Sequence, residues 1–147
     1  MRMYVSSSWN TQAHNQVVDA LVSLGHEVYN YRKPPLENDV EVKPFGWPDV
    51  DRNFQKWTPT LYRSNLDNKL VVEGFNRNLA AMKWAEACVL LLPSNRNAHL
   101  EAGYFLGAGK KLHVLVTQYE EPELMHKMAT NVFVSINEMV SKLKYMW

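Results

Sequence analysis

Two short stretches of this 147-residue chain concentrate hydrogen-bonding side chains: Ser6-Ser7-Ser8-Trp9 near its start, and Pro93-Ser94-Asn95-Arg96-Asn97-Ala98-His99-Leu100-Glu101 past its middle. Glu101 carries the most chemical promise. It falls in the first turns of a helix, where the positive helix end favours the ionised form and apolar neighbours keep water away. A charged, poorly solvated Glu is a competent nucleophile or a stabiliser of an oxocarbenium ion. It can equally do no more than complement the helix dipole. Other chemistries lack their residues. Neither stretch has the glycines of a dinucleotide fingerprint, and Gly109-Lys110-Lys111 lies at a helix's far end, where it cannot serve as a phosphate loop. No GxSxG elbow is present. His14, His26, His99, His113 and His126 show neither HExxH nor another compact ligand spacing, so neither a metal nor a cofactor is expected. Cys88, inside the apolar run Ala87 to Leu92, reads as a buried structural thiol, and a lone cysteine is in keeping with a reducing compartment.

These side chains need a scaffold, and the hydrophobic pattern supplies one. Met3-Tyr4-Val5 reads as a first strand, Val17, Val18, Leu21, Val22 and Leu24 as a helix ended by Gly25, and His26 to Tyr31 as a second strand stopped by Pro34-Pro35. A strand, helix and strand in about 30 residues imply a right-handed parallel crossover. From Lys33 to about Pro59 the pattern dissolves into prolines at 34, 35, 44, 48 and 59 and the aromatics Phe45, Trp47, Phe54 and Trp57. That segment, about 33–60, is either a lid or pocket wall, or a loop whose aromatics cover the core edge. A short helix over Leu61–Leu70 and a firmer one over Gly74–Glu86 precede the apolar strand Cys88–Leu92. A helix over Ala98–Ala108, a strand over Leu112–Val116, a helical stretch around Glu123–Met128, a weak strand at Val132–Val134 and a helix over Ile136–Lys144 complete the pattern.

The expected fold is a single α/β domain over residues 1–147: a three-layer sandwich around a five-stranded parallel sheet in the flavodoxin-like order 2-1-3-4-5. Ligands of such a sheet sit beyond the carboxyl ends of the strands, where the winding direction reverses. That rule selects the same two stretches. With 16 Lys+Arg against 15 Asp+Glu and 46% hydrophobic residues, the chain has the balance of one globular domain with its own core. Its net charge of +1 gives no field to gather duplex nucleic acid. No segment approaches the roughly 20 apolar residues a bilayer requires, and the start has no long apolar stretch of a signal peptide, so a cytoplasmic location and no membrane partner are expected.

The stretch Gly74–Lys111, GFNRNLAAMKWAEACVLLLPSNRNAHLEAGYFLGAGKK, resembles the nucleoside 2-deoxyribosyltransferase superfamily. Its most specific piece is HLEAGYFLGAGKK, and MYVSSSW, LGHEVYNYR and EPELMHKM extend the likeness over most of the chain. The resemblance implies a catalytic Glu101 that attacks the anomeric carbon of a 2′-deoxynucleoside, with Tyr4 orienting its carboxylate. It places Asn95 and Asn97, with Ser94 and Arg96 beside them, around the sugar or its 5′ substituent, and adds Ser6, Ser7 and the stacking candidates Trp9, Trp47 and Trp57 as substrate-binding residues. For each tryptophan, core packing is the competing role. Glu123 stands where the family has a polar residue that reaches a neighbouring subunit's pocket, which implies a homodimer or larger assembly. Asn78 stands where the family usually has Asp, and Glu86 replaces the Asp of an "AD" turn. An amide hydrogen-bonds but transfers no proton near neutral pH. The implied activity is transfer or cleavage of an N-glycosidic bond. The alternatives are a 2′-deoxynucleoside 5′-monophosphate N-hydrolase, a nucleotide-binding or sensing module with weak catalysis, and a structural partner that binds no small molecule.

Overall fold

In the computed structural model, which describes residues 1–145, the sheet is built from β1 (Arg2–Ser6), β2 (Glu27–Tyr29), β3 (Ala87–Leu92), β4 (Lys111–Val116) and β5 (Asn131–Phe133). All neighbouring pairs are parallel, and the order is β2-β1-β3-β4-β5, as the pattern of the sequence implies. The central strand β3 is buried along its whole length, which explains its unbroken apolar sequence.

Side-chain alternation decides which residues serve the core and which face the other way. Met3 and Val5 of β1 and Val89 and Leu91 of β3 pack with Val17, Val18 and Leu21 of α1 (His14–Ser23) and with Met139 and Leu143 of α6 (Ile136–Leu143). Tyr4 and Ser6 point to the opposite face, where they meet α5 (Arg96–Gly107). Helices thus cover both faces of the sheet. Gly25 and Gly109, which follow α1 and α5, take positive φ angles of 83° and 69°, the left-handed turn their positions require. Lys110 closes the carboxyl end of the helix before β3: its Nζ donates to the carbonyls of Met82, Lys83 and Ala85 at 2.7, 2.7 and 2.5 Å.

The chain divides into two compact units, one formed by Met1–Asn30 with the chain from Met82 onward, the other by Tyr31–Ala81. The second holds α2 (Trp47–Val50), a 3-10 turn (Phe54–Lys56), α3 (Pro59–Asn65) and most of α4 (Lys69–Trp84). Its aromatics pack on one another. Trp47 lies 5.0 Å from Phe45, 6.5 Å from Phe54 and 5.6 Å from Trp57 between ring centroids, and Trp57 Nε1 donates to Asp51 at 2.7 Å. Gly74 lets Phe45 approach closely, since a Cβ there would stand 3.0 Å from the Phe45 side chain.

Element boundaries differ from the sequence reading at several places. The helix expected over Leu61–Leu70 is α3, which starts at Pro59 under a Thr58 cap and stops at Asn65. The next helix starts at Lys69 instead of Gly74 and ends at Trp84, leaving Glu86 outside it, paired with the backbone N–H of Arg2 at 2.9 Å. The helix expected from Ala98 starts at Arg96, since Asn95 caps it. The second strand is only three residues long, and the stretch around Glu123–Met128 is a 3-10 turn over Leu124–Met128.

Candidate active site

Tyr4 and Ser6 stand two apart on β1, so both side chains leave the same face of the strand. They converge on one carboxylate. Tyr4 Oη donates to Glu101 Oε1 at 3.0 Å, and Ser6 Oγ donates to Glu101 Oε2 at 2.5 Å. Asn97, four residues earlier on α5, adds its side-chain N–H to Oε1 at 3.3 Å. The Tyr4 ring is itself locked, stacked on Tyr29 at 5.4 Å and against Phe105 at 5.7 Å. Three donors therefore aim one carboxylate from fixed elements.

Burial pushes the Glu101 carboxyl above the usual range, and the hydrogen bonds from Ser6, Tyr4 and Asn97 only partly oppose this. Glu101 is the sixth residue of α5, past the first turn where the dipole acts most strongly. Burial and the neighbouring carboxylate raise the Tyr4 phenol far above its usual range, so it stays protonated and remains a donor. The buried Cys88 thiol is pushed up in the same way, which fits a structural role.

The other sequence-selected residues are dispersed. Ser7 Oγ lies 2.8 Å from His14 Nδ1. Trp9 is 53% exposed on the turn after β1. Asn95 Oδ1 caps α5 by accepting the N–H of Ala98 at 3.1 Å, and the Asn95 N–H donates to Ser8 Oγ at 2.7 Å. Asn78 is on α4, half-buried, and Trp47 belongs to the aromatic cluster of the Tyr31–Ala81 unit. Ser94, Arg96 and Glu123 line a cavity of about 610 Å³ together with His99, Glu120 and His126. Glu101 does not line it. Residues 99 and 101 of a helix are about 200° apart around its axis, so that cavity occupies the opposite flank of α5.

Two groupings escaped the sequence reading. His14 bridges Ser7 and Asn30, and His99 and His126 meet with their Nε2 atoms 3.2 Å apart. Ser7, Asn30 and His126 lie 7, 16 and 27 positions from the histidines they meet, and no local spacing marks such a contact. Among the described residues, no group of three His, Cys, Asp or Glu side chains is placed to hold a metal ion, and no helix is long and apolar enough to cross a membrane.

No family model and no curated protein sequence matches the chain. Solved structures do. A 2-deoxyribosyltransferase of Bacillus psychrosaccharolyticus matches with a TM-score of 0.65 at 17% identity, over 95% of this chain and 90% of that one. A CMP N-glycosidase of Clostridium botulinum matches with a TM-score of 0.52 at 14% identity, over 97% and 98%. A conserved protein of Enterococcus faecalis V583 matches with a TM-score of 0.62 at 12% identity, over 100% and 99%. At these identities the likeness establishes a shared fold.

Proposed function

We propose, from a fold shared with a deoxyribosyltransferase and an N-glycosidase, that this chain is an enzyme that transfers or cleaves the N-glycosidic bond of a 2′-deoxynucleoside. The observation that carries the reading is Glu101, a half-buried carboxylate gripped by Tyr4, Ser6 and Asn97 beyond the carboxyl end of β1. In its ionised form Glu101 attacks the anomeric carbon, the bond to the nucleobase breaks with its electrons leaving on the base, and a glycosyl ester forms. A second base, or water, then attacks from the opposite face, releasing the carboxylate and retaining the anomeric configuration. Tyr4 and Ser6 hold the two oxygens throughout, so little reorganisation is needed as charge leaves and returns.

The remaining roles belong to the same proposal. Trp9, exposed on the turn after β1, offers a flat face to a base. Asn97, which bonds Glu101, lies on the sugar side, and Glu123 serves a neighbouring subunit of a homodimer or larger assembly. Incubation with a deoxynucleoside and a different free base should give the exchanged nucleoside by chromatography, and mass spectrometry should find a deoxyribosyl adduct on Glu101. Glu101→Gln should lower turnover by about a thousand-fold or more while leaving the chain folded. Wild-type speed in that variant removes Glu101 as the nucleophile.

The likeness to a CMP N-glycosidase favours a second reading, hydrolysis of a 2′-deoxynucleoside 5′-monophosphate, with Arg96 and the start of α5 meeting the phosphate. Free base released from the monophosphate without an acceptor selects hydrolysis over transfer.

A further inference from the structure

His14, the first residue of α1, has no exposed surface, yet both of its ring nitrogens are engaged. Nε2 lies 2.9 Å from Asn30 Oδ1 and Nδ1 lies 2.8 Å from Ser7 Oγ. An amide oxygen can only accept, so Nε2 carries the hydrogen, and in the neutral ring Nδ1 accepts from the Ser7 hydroxyl. The tautomer is thereby set from the far side, by a residue just past the end of β2.

Ser7 stands between two residues that touch α5 and the loop before it. Ser6 donates to Glu101, and Ser8 Oγ accepts the N–H of Asn95 at 2.7 Å. Thr11 adds a bond from its hydroxyl to the Pro93 carbonyl at 3.0 Å, and accepts the Ser8 N–H at 3.2 Å. The turn after β1 is thus tied on one side to the β3–α5 loop through Ser8 and Thr11. On the other side His14 ties it to Asn30.

We propose that His14 is a positioning residue for Glu101: anchored on Asn30, it holds Ser7 so that the adjoining Ser6 hydroxyl stays on the carboxylate. The inference rests on Glu101 being the nucleophile. His14 touches no reacting atom and acts only through the turn.

His14→Phe keeps a planar ring but neither nitrogen, His14→Gln keeps a donor and an acceptor, and Asn30→Ala cuts the anchor while sparing the ring. The first readout is the titration of the Glu101 carboxyl carbon by NMR, which needs no turnover. Loss of the Ser6 hydrogen bond should move that titration up by about one pH unit in His14→Phe, less in Asn30→Ala, and His14→Gln should bring it back toward wild type. The second readout is the kinetic split: in His14→Phe, kcat should fall about tenfold, with its acid limb displaced upward and KM nearly unchanged. Where His14→Phe fails to fold, the other two variants carry the test. A Glu101 titration identical to wild type in every folded variant overturns the proposal, because a merely structural histidine would lower the melting temperature without moving it. A wild-type protein that neither exchanges nor hydrolyses a deoxynucleoside overturns the reading of function instead, and the titration still decides whether His14 positions Glu101.

Discussion

Burial and hydrogen bonding pull the Glu101 carboxyl in opposite directions, and burial prevails. As the nucleophile proposed above, Glu101 must be ionised, so the active fraction grows as pH rises through that raised value. The acid limb of kcat/KM should therefore lie above the ordinary glutamate range near pH ~4.3. Tyr4→Phe removes a donor that favours the charged form; its pH–rate profile should show the limb displaced further upward and a plateau about ten- to a hundredfold lower. An unmoved limb would mean that the phenol contributes nothing to the carboxylate. At this scale Glu101 and Tyr4 were legible because each sits in a contiguous motif. The direction of the Glu101 shift was not, since it depends on how much protein surrounds the carboxyl and not on its place in a helix. The partners of His14 were equally hidden, because contact between α1 and the end of β2 is a product of folding.

The start of α5 illustrates what a single cap decides. Asn95 begins the helix at Arg96, and this phase puts Asn97 and Glu101 one turn apart on the flank facing β1 while His99 falls on the flank facing His126. Asn95→Ala should cost about 1 kcal/mol in urea unfolding and weaken the Asn97 bond to Glu101 by fraying the first turn. A stability equal to wild type would show that the side chain is not the effective cap. The strands are legible from their apolar runs and the helices from their spacing, but α4 and α5 start five and two residues ahead of the apolar pattern, whereas α6, under its Ser135 cap, starts with it at Ile136. Hydrophobic periodicity marks the buried face of a helix. It is silent about the first turn, which often buries nothing.

Across the molecule, two groups tilt stability with pH in opposite senses. His113 is held down to about 4 by burial, and the Asn131 side chain donates to its Nδ1 at 3.1 Å. Its folded value lies below its unfolded one, so its contribution to stability is lost as pH falls from about 6.5 toward 4. The raised Glu101 contributes stability at low pH, and that contribution is lost as pH rises through its folded value. Glu101→Gln should therefore raise the melting temperature at pH 7 by a few degrees (~2–4 °C) and leave the acid-side loss from His113 in place, measured by thermal unfolding across pH 4–8. A lower melting temperature at pH 7 would contradict the burial cost assigned to the carboxylate. The strand order was legible at this scale, because alternating strands and helices permit few parallel topologies, whereas the division into two units at Tyr31 and Ala81 was not. One feature of β1 constrains how this protein can vary. Met3 and Val5 belong to the core while Tyr4 and Ser6 belong to the carboxylate, so inserting or deleting a single residue ahead of Met3 that shifts the pairing would deliver methionine and valine to Glu101 and bury a phenol and a hydroxyl among aliphatic chains. A length change on this strand exchanges its two faces, whereas one in the turn that follows leaves both in place.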